Sequence, residues 1–128
     1  MVAFLPMFLF SILFLFVPAS GSAKRVVDFS SSNLPIVIIS THGETIQEEI
    51  RIVADMAIIC NDHDERNDIS DPPNHYDGQI EIALHGHSSL AFPKKSFRIE
   101  TQDSCGRNLN VSLLGMPKEN DWILYAPY

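Results

Sequence analysis

Residues 1–23 carry no charged side chain, so all 9 Lys and Arg and all 16 Asp and Glu fall from residue 24 onward. A stretch without solvated charge cannot supply the surface of a domain in water, which leaves the later residues to build one. The whole chain is 128 residues, enough for one modest core and too little for two. A formal net charge of -7 opposes the basic surface that a phosphate-backbone binder needs, which excludes nucleic acid as a general partner.

Residues 2–17 read VAFLPMFLFSILFLFV, broken only by Pro6 and Ser11, and PASGSAK follows. The length suits the apolar region of a secretory signal peptide and falls short of the ~20 residues of a comfortable membrane span. Gly21 and Ala23 mark a cleavage site before Lys24, with Ala19 and Gly21 as a second choice. The positive start of a signal is reduced here to the terminal amine, and an uncleaved signal anchor is the alternative. Both readings carry the chain out of the cytosol, and cleavage would leave it without a stable membrane span. An oxidising compartment permits a disulfide between Cys60 and Cys105, although sequence alone does not bring their Cα atoms within bonding range. Asn110-Val111-Ser112 is an N-glycosylation acceptor if the host has a eukaryotic secretory pathway.

Residues 24–33 are polar, with a Ser30-Ser31-Ser32 run, and read as a linker. Residues 34–39 (LPIVII) form a continuous β-branched run ended by STHG, which predicts a buried strand. In residues 49–59, Ile50, Ile52, Ala54, Met56 and Ile58 alternate as a strand requires. Residues 60–77 hold turn formers and a Pro72-Pro73 pair, so they read as a polar surface loop. Alternation resumes in residues 79–85 and 95–101, with Phe97 and Ile99 inward. Turn chemistry follows at residues 103–108, and the last apolar stretches are 109–114 and 122–125. The fold class is therefore mainly β, with about five or six strands.

Spacing rejects several chemistries. Counting Asp62 as the first position of a calcium loop puts Arg66, Asn67 and Pro73 where an oxygen ligand, a Gly and a bidentate Glu belong. His85 and His87 would share one strand face, but no third ligand is fixed by spacing, so no metal site is assigned. Gly86-His87-Ser88-Ser89-Leu90 lacks the second Gly of a nucleophile elbow, and no His follows His87. What remains is the turn at Gly86, Ser88 and Ser89 with the adjacent Lys94 and Lys95. Small turn residues expose backbone N–H groups, and a strand entered at Lys94 puts one ammonium on the inner face, where a phosphate could meet it. Two solvated lysines on an edge strand are the alternative.

Residues 32–128 resemble the N-terminal part of the CotH kinase family, named for spore coat protein H. The resemblance rests on Asn33 to Ile39 (NLPIVII), Ile52 to Ile59 (IVADMAII), Gly86 with Ser88-Ser89, Phe92 to Phe97 (FPKKSF), Glu100-Thr101 and, most specifically, VSLLGMPKENDWILYAPY at the end. The chain departs from the family pattern at His85, His87 and Leu90. The resemblance implies an atypical protein-kinase-like fold, α+β when complete, of which residues 34–128 are the β-rich N-terminal part. It also implies ATP and a divalent cation (Mg or Mn) as cofactors and Ser/Thr of a secreted or coat protein as acceptor. Gly86, Ser88, Ser89 and one of Lys94 or Lys95 would then lie near the nucleotide, since phosphoryl transfer demands a cation on the phosphates. The family's catalytic and metal-binding aspartates would lie beyond Tyr128, so no catalytic residue is expected here and the chain is expected to be incomplete and inactive alone. The competing expectation is a secreted, non-catalytic β-sandwich that binds a partner or serves a surface.

Overall fold

The computed structural model describes residues 29–127, so the expected signal peptide and the first part of the expected linker lie outside the described residues. Seven strands follow one another: β1 (Ser31–Ser32), β2 (Ile36–Ser40), β3 (Ile52–Ile59), β4 (Asn67–Asp68), β5 (Tyr76–His85), β6 (Ser96–Gln102) and β7 (Asp121–Leu124), with a 3-10 turn at Ser88–Ala91. Five of them form an antiparallel sheet in the order β2-β3-β5-β6-β7, and β1 pairs with β4 in a two-stranded one. The mainly β class holds. The second sheet spans only two residue pairs, so the described residues do not build a sandwich of two comparable sheets. None of the described helices is long and apolar enough to cross a membrane.

Period-two alternation gives the large sheet one apolar face, as strand geometry requires. Ile52, Ile82, Ile99 and Trp122 stand in one cross-strand row, and Leu84, Phe97 and Leu124 stand in another. Ala54, Met56, Ile80, Ile82 and Ile99 are at most 2% exposed. Among the described residues no helix covers this face. Instead Ile46, from the β2–β3 connection, and Val111 and Leu113, from the β6–β7 connection, pack onto it. Phe97 and Ile99 face inward as alternation predicts, whereas Ile50 precedes β3 and is exposed.

The connections follow turn chemistry. Thr41 O accepts from Glu44 N at 3.0 Å across His42 and Gly43, both at positive φ. In the β6–β7 connection Asp103 accepts from Gly106 N, and Gly106 takes φ 73, as a short hairpin loop with a left-handed Gly does. The apolar run 109–114 is not a strand; its only sheet-type pairing is the isolated bridge of Val111 with Glu119. The expected linker contains β1. The expected surface loop 60–77 contains β4 and a buried residue, Asn67, whose amide donates to Leu34 O (2.9 Å) and whose Oδ1 accepts from Asn61 N (2.6 Å).

Candidate functional site

The β5–β6 connection, residues 86–95, brings the expected phosphate-facing residues into one turn. Gly86 takes φ 113, a conformation that L side chains rarely adopt, and a Cβ there would lie 2.1 Å from Ser89 Oγ. The chain then enters the short turn Ser88–Ala91, where Leu90 N donates to His87 O (3.3 Å) and Phe92 N to Ser89 O (3.1 Å). Because Gly86 redirects the backbone, His87 caps this turn and does not continue β5, so it shares no strand with His85. Ser88 is exposed and Ser89 is half-buried.

Strand β6 begins at Ser96, one residue past the lysine pair. The half-buried Lys95 folds its ammonium back onto the turn and donates to Leu90 O. Lys94 is exposed and donates across to Pro127 O at 3.4 Å. Residue 126 is laid against the same place, since Ala126 N donates to Ser96 Oγ at 3.0 Å. An ammonium has three protons to give, so each lysine keeps donors for an anion after these contacts.

The polar face of the sheet carries a second constellation that sequence reading missed. Glu81 pairs with Glu100, and Glu100 with Asp121, which sets three carboxylates in one cross-strand row. Arg51, just before β3, serves all three. It bonds Glu100 and lies 3.7 Å from Glu81 and 4.0 Å from Asp121. Asn108 and Asn120 donate to the other Glu100 oxygen at 2.8 and 3.2 Å. The signal was in the acidic residues on alternating positions, but the row exists only in the pairing register, which a sequence does not print.

Two cavities open at the end of the sheet opposite the 86–95 turn. One, of about 380 Å³, is lined by residues that include Leu34, Cys60, Asn61, His63 and Glu65. The other, of about 530 Å³, lies against Tyr76, Gln79, Gln102 and Asp103. Burial raises the Tyr76 phenol above its ordinary range, with the Asp77 charge adding to it. The Arg107 and Cys105 backbone N–H groups hold the Asp103 carboxyl below the ordinary carboxylate value. Asp68 is lowered by the Ser70 hydroxyl and N–H.

Among the described residues, no three His, Cys, Asp or Glu side chains gather as a metal-holding group. Cys60 and Cys105 are free thiols, half-buried and exposed. Cys60 follows β3 and Cys105 lies in the β6–β7 connection, with β5 between β3 and β6 in the sheet. Asn110 is exposed in the β6–β7 connection. The chain matches no protein-family model, and comparison with curated proteins and with solved structures gives no match.

Proposed function

We propose that this chain is the β-rich N-terminal part of an exported, CotH-like atypical protein kinase, which transfers phosphoryl groups from ATP to Ser or Thr of a secreted or coat protein. The observation that carries the reading is the turn at Gly86, onto which the Lys95 ammonium folds. The resemblance of residues 32–128 supports it independently, as does a five-stranded antiparallel sheet that displays this turn at one end.

Phosphoryl transfer depends on positioning and on neutralising charge, and the donor set at the turn suits a phosphate. Lys95 and Lys94 supply positive charge, the hydroxyls of Ser88 and Ser89 supply further donors, and Gly86 keeps side-chain bulk from the backbone there. ATP, when bound, supplies the group that is transferred. The divalent cation would need ligands beyond any cluster in the described residues.

Titration of the isotopically labelled chain with Mg-ATP, followed by amide resonances, tests the reading. Saturable shifts confined to residues 86–95, abolished by Lys95→Met, would support it. Unchanged resonances at ~5 mM nucleotide, a concentration that fills sites of millimolar affinity, with the sheet intact would refute it.

A further inference from the structure

The β6–β7 connection is fastened over the core by a hydrogen bond whose direction is fixed by its chemistry. Leu114 N donates to His75 Nε2 at 2.6 Å. A backbone N–H only donates, so this ring nitrogen must carry a lone pair, and the ring is the neutral tautomer protonated on Nδ1. An imidazolium has no lone pair to offer.

The segment so fastened is under strain. Leu113 O accepts from Met116 N at 3.0 Å, which closes a turn whose two central residues are Leu114, at φ 51, and Gly115, at φ 78. Two positive φ values define a type I′ turn, which favours Asn, Asp or Gly at its first central position. Leucine there has no side-chain oxygen to offset the left-handed conformation. The first central N–H also has no acceptor within such a turn, and His75 provides one from 39 residues away in sequence. Directly before Leu114 stands Leu113, 4% exposed and part of the apolar cluster against which Trp122 packs.

We propose that His75 is a pH-sensitive latch: protonation of its ring releases the turn at residues 113–116 and loosens the cover over the sheet's apolar face. His75 itself is anchored through its backbone N–H to Ile58 O at 3.1 Å. The titratable and charged groups on the elements that meet it are Asp55 on β3 and Cys60 after it, Asp71 in the preceding loop, Tyr76, Asp77, Glu81 and His85 on β5, and Asp103, Cys105, Arg107, Lys118 and Glu119 in the β6–β7 connection. None forms an ion pair with it among the described residues, where the histidine ion pair is His42 with Asp55 at 2.9 Å. No carboxylate therefore rewards the imidazolium for the bond it gives up. The stability contributed by the latch is present while the ring is neutral and is lost when the ring is protonated. A chain exported from the cytosol would meet such changes of pH.

The test uses the full chain at pH 8 and pH 5. Ring ¹⁵N shifts at pH 8 should report His75 protonated on Nδ1 alone. The Leu114 amide protection factor, corrected for intrinsic exchange, should fall about tenfold at pH 5, equivalent to about 1.4 kcal/mol. The His75→Gln variant, whose carboxamide oxygen accepts without titrating, should keep its protection at both pH values. The proposal is overturned by a ring protonated on Nε2 at pH 8, by unchanged protection in the wild type, or by an equal fall in the variant. If the variant does not fold, the wild-type ring shifts and Leu114 protection decide between the same outcomes.

Discussion

Replacing Arg51 by Met keeps most of the aliphatic stem and removes the cation that, among the described residues, contacts the carboxylate row. Three terms then act together. Glu100, whose side chain is 12% exposed, loses its charged partner and keeps only the Asn108 and Asn120 amides, a loss of about 1–3 kcal/mol for a mostly buried acceptor. Glu81 loses a half-exposed partner at 3.7 Å, which contributes about 0.2–1 kcal/mol. Asp121, 71% exposed at 4.0 Å, contributes almost nothing because water screens it. Removing the guanidinium also leaves like charges directly opposite one another on β5, β6 and β7, which costs about 0.2–1 kcal/mol per pair. The expected loss is about 2–6 kcal/mol by urea denaturation at low salt. It should shrink as salt rises and shrink again in Arg51→Met/Glu100→Gln, which removes the carboxylate that loses most. A loss below about 0.5 kcal/mol, or one indifferent to both salt and the second substitution, would refute the argument that this arginine offsets the row's repulsion.

The two faces of the sheet should respond unequally to truncation: Ile82→Ala, at a fully buried position, should cost about 2–5 kcal/mol, and Val53→Ala, 47% exposed on the opposite face, under about 0.5 kcal/mol, both by chemical denaturation. Gly86→Ala should cost about 1–3 kcal/mol in thermal unfolding, chiefly through φ, because the Ser89 hydroxyl can rotate away. Asp103 has its carboxyl held low by the Arg107 and Cys105 N–H groups, so its contribution is present above the unfolded carboxyl range and is lost as pH falls through the lowered folded value. Asp103→Asn should flatten that part of the stability profile in unfolding measured from pH 6 to pH 2. Arg98 Nε is buried without a hydrogen-bond partner, so Arg98→Met should be neutral or stabilising by denaturation, in contrast to the same change at Arg51.

Strands β3, β5 and β6 were legible because each alternates a wet and a dry face, while β1 and β4 lay hidden in stretches that read as linker and loop. Residues 52–59 alternate Ile, Ala, Met and Ile against Val and Asp, and only a strand puts such a set on one side. The turns were legible where their chemistry is local, as at Gly43 and Gly106. The missed features all depend on residues far apart in sequence. Asn67 reads as one more turn former, and its burial follows from the acceptor that Leu34 O and the donor that Asn61 N bring to it. Leu113 reads as part of an apolar stretch, and it reaches the core from a turn whose Leu114 N–H is satisfied by His75. The candidate phosphate turn lies between these cases. Its Gly, Ser and Lys residues stood out in the sequence, while the fold of Lys95 back onto Leu90 needed the 3-10 turn to be seen.

Charge distribution bears on how a polyphosphate would meet this molecule. A net charge of -7 repels such an anion at long range, so any affinity must come from a local excess of cations. Arg51 and Arg107 are engaged by carboxylates, and Arg66 by Ser31. Lys94, Lys95 and Arg98 lie together where the 86–95 turn joins β6, and none has a carboxylate within ion-pair distance among the described residues. Lys94 and Lys95 lie in the turn ahead of β6, Lys94 exposed and Lys95 half-buried with its ammonium folded over the turn. An anion at this end would meet both ammonium groups, with Gly86 offering no side chain to hold it away. The carboxylate row begins two residues past Arg98, at Glu100, and Arg51 and the two asparagine amides already occupy it. The same arginine that stabilises the sheet thus limits the repulsion felt at the turn, which ties the stability of the polar face to the chemistry proposed beside it.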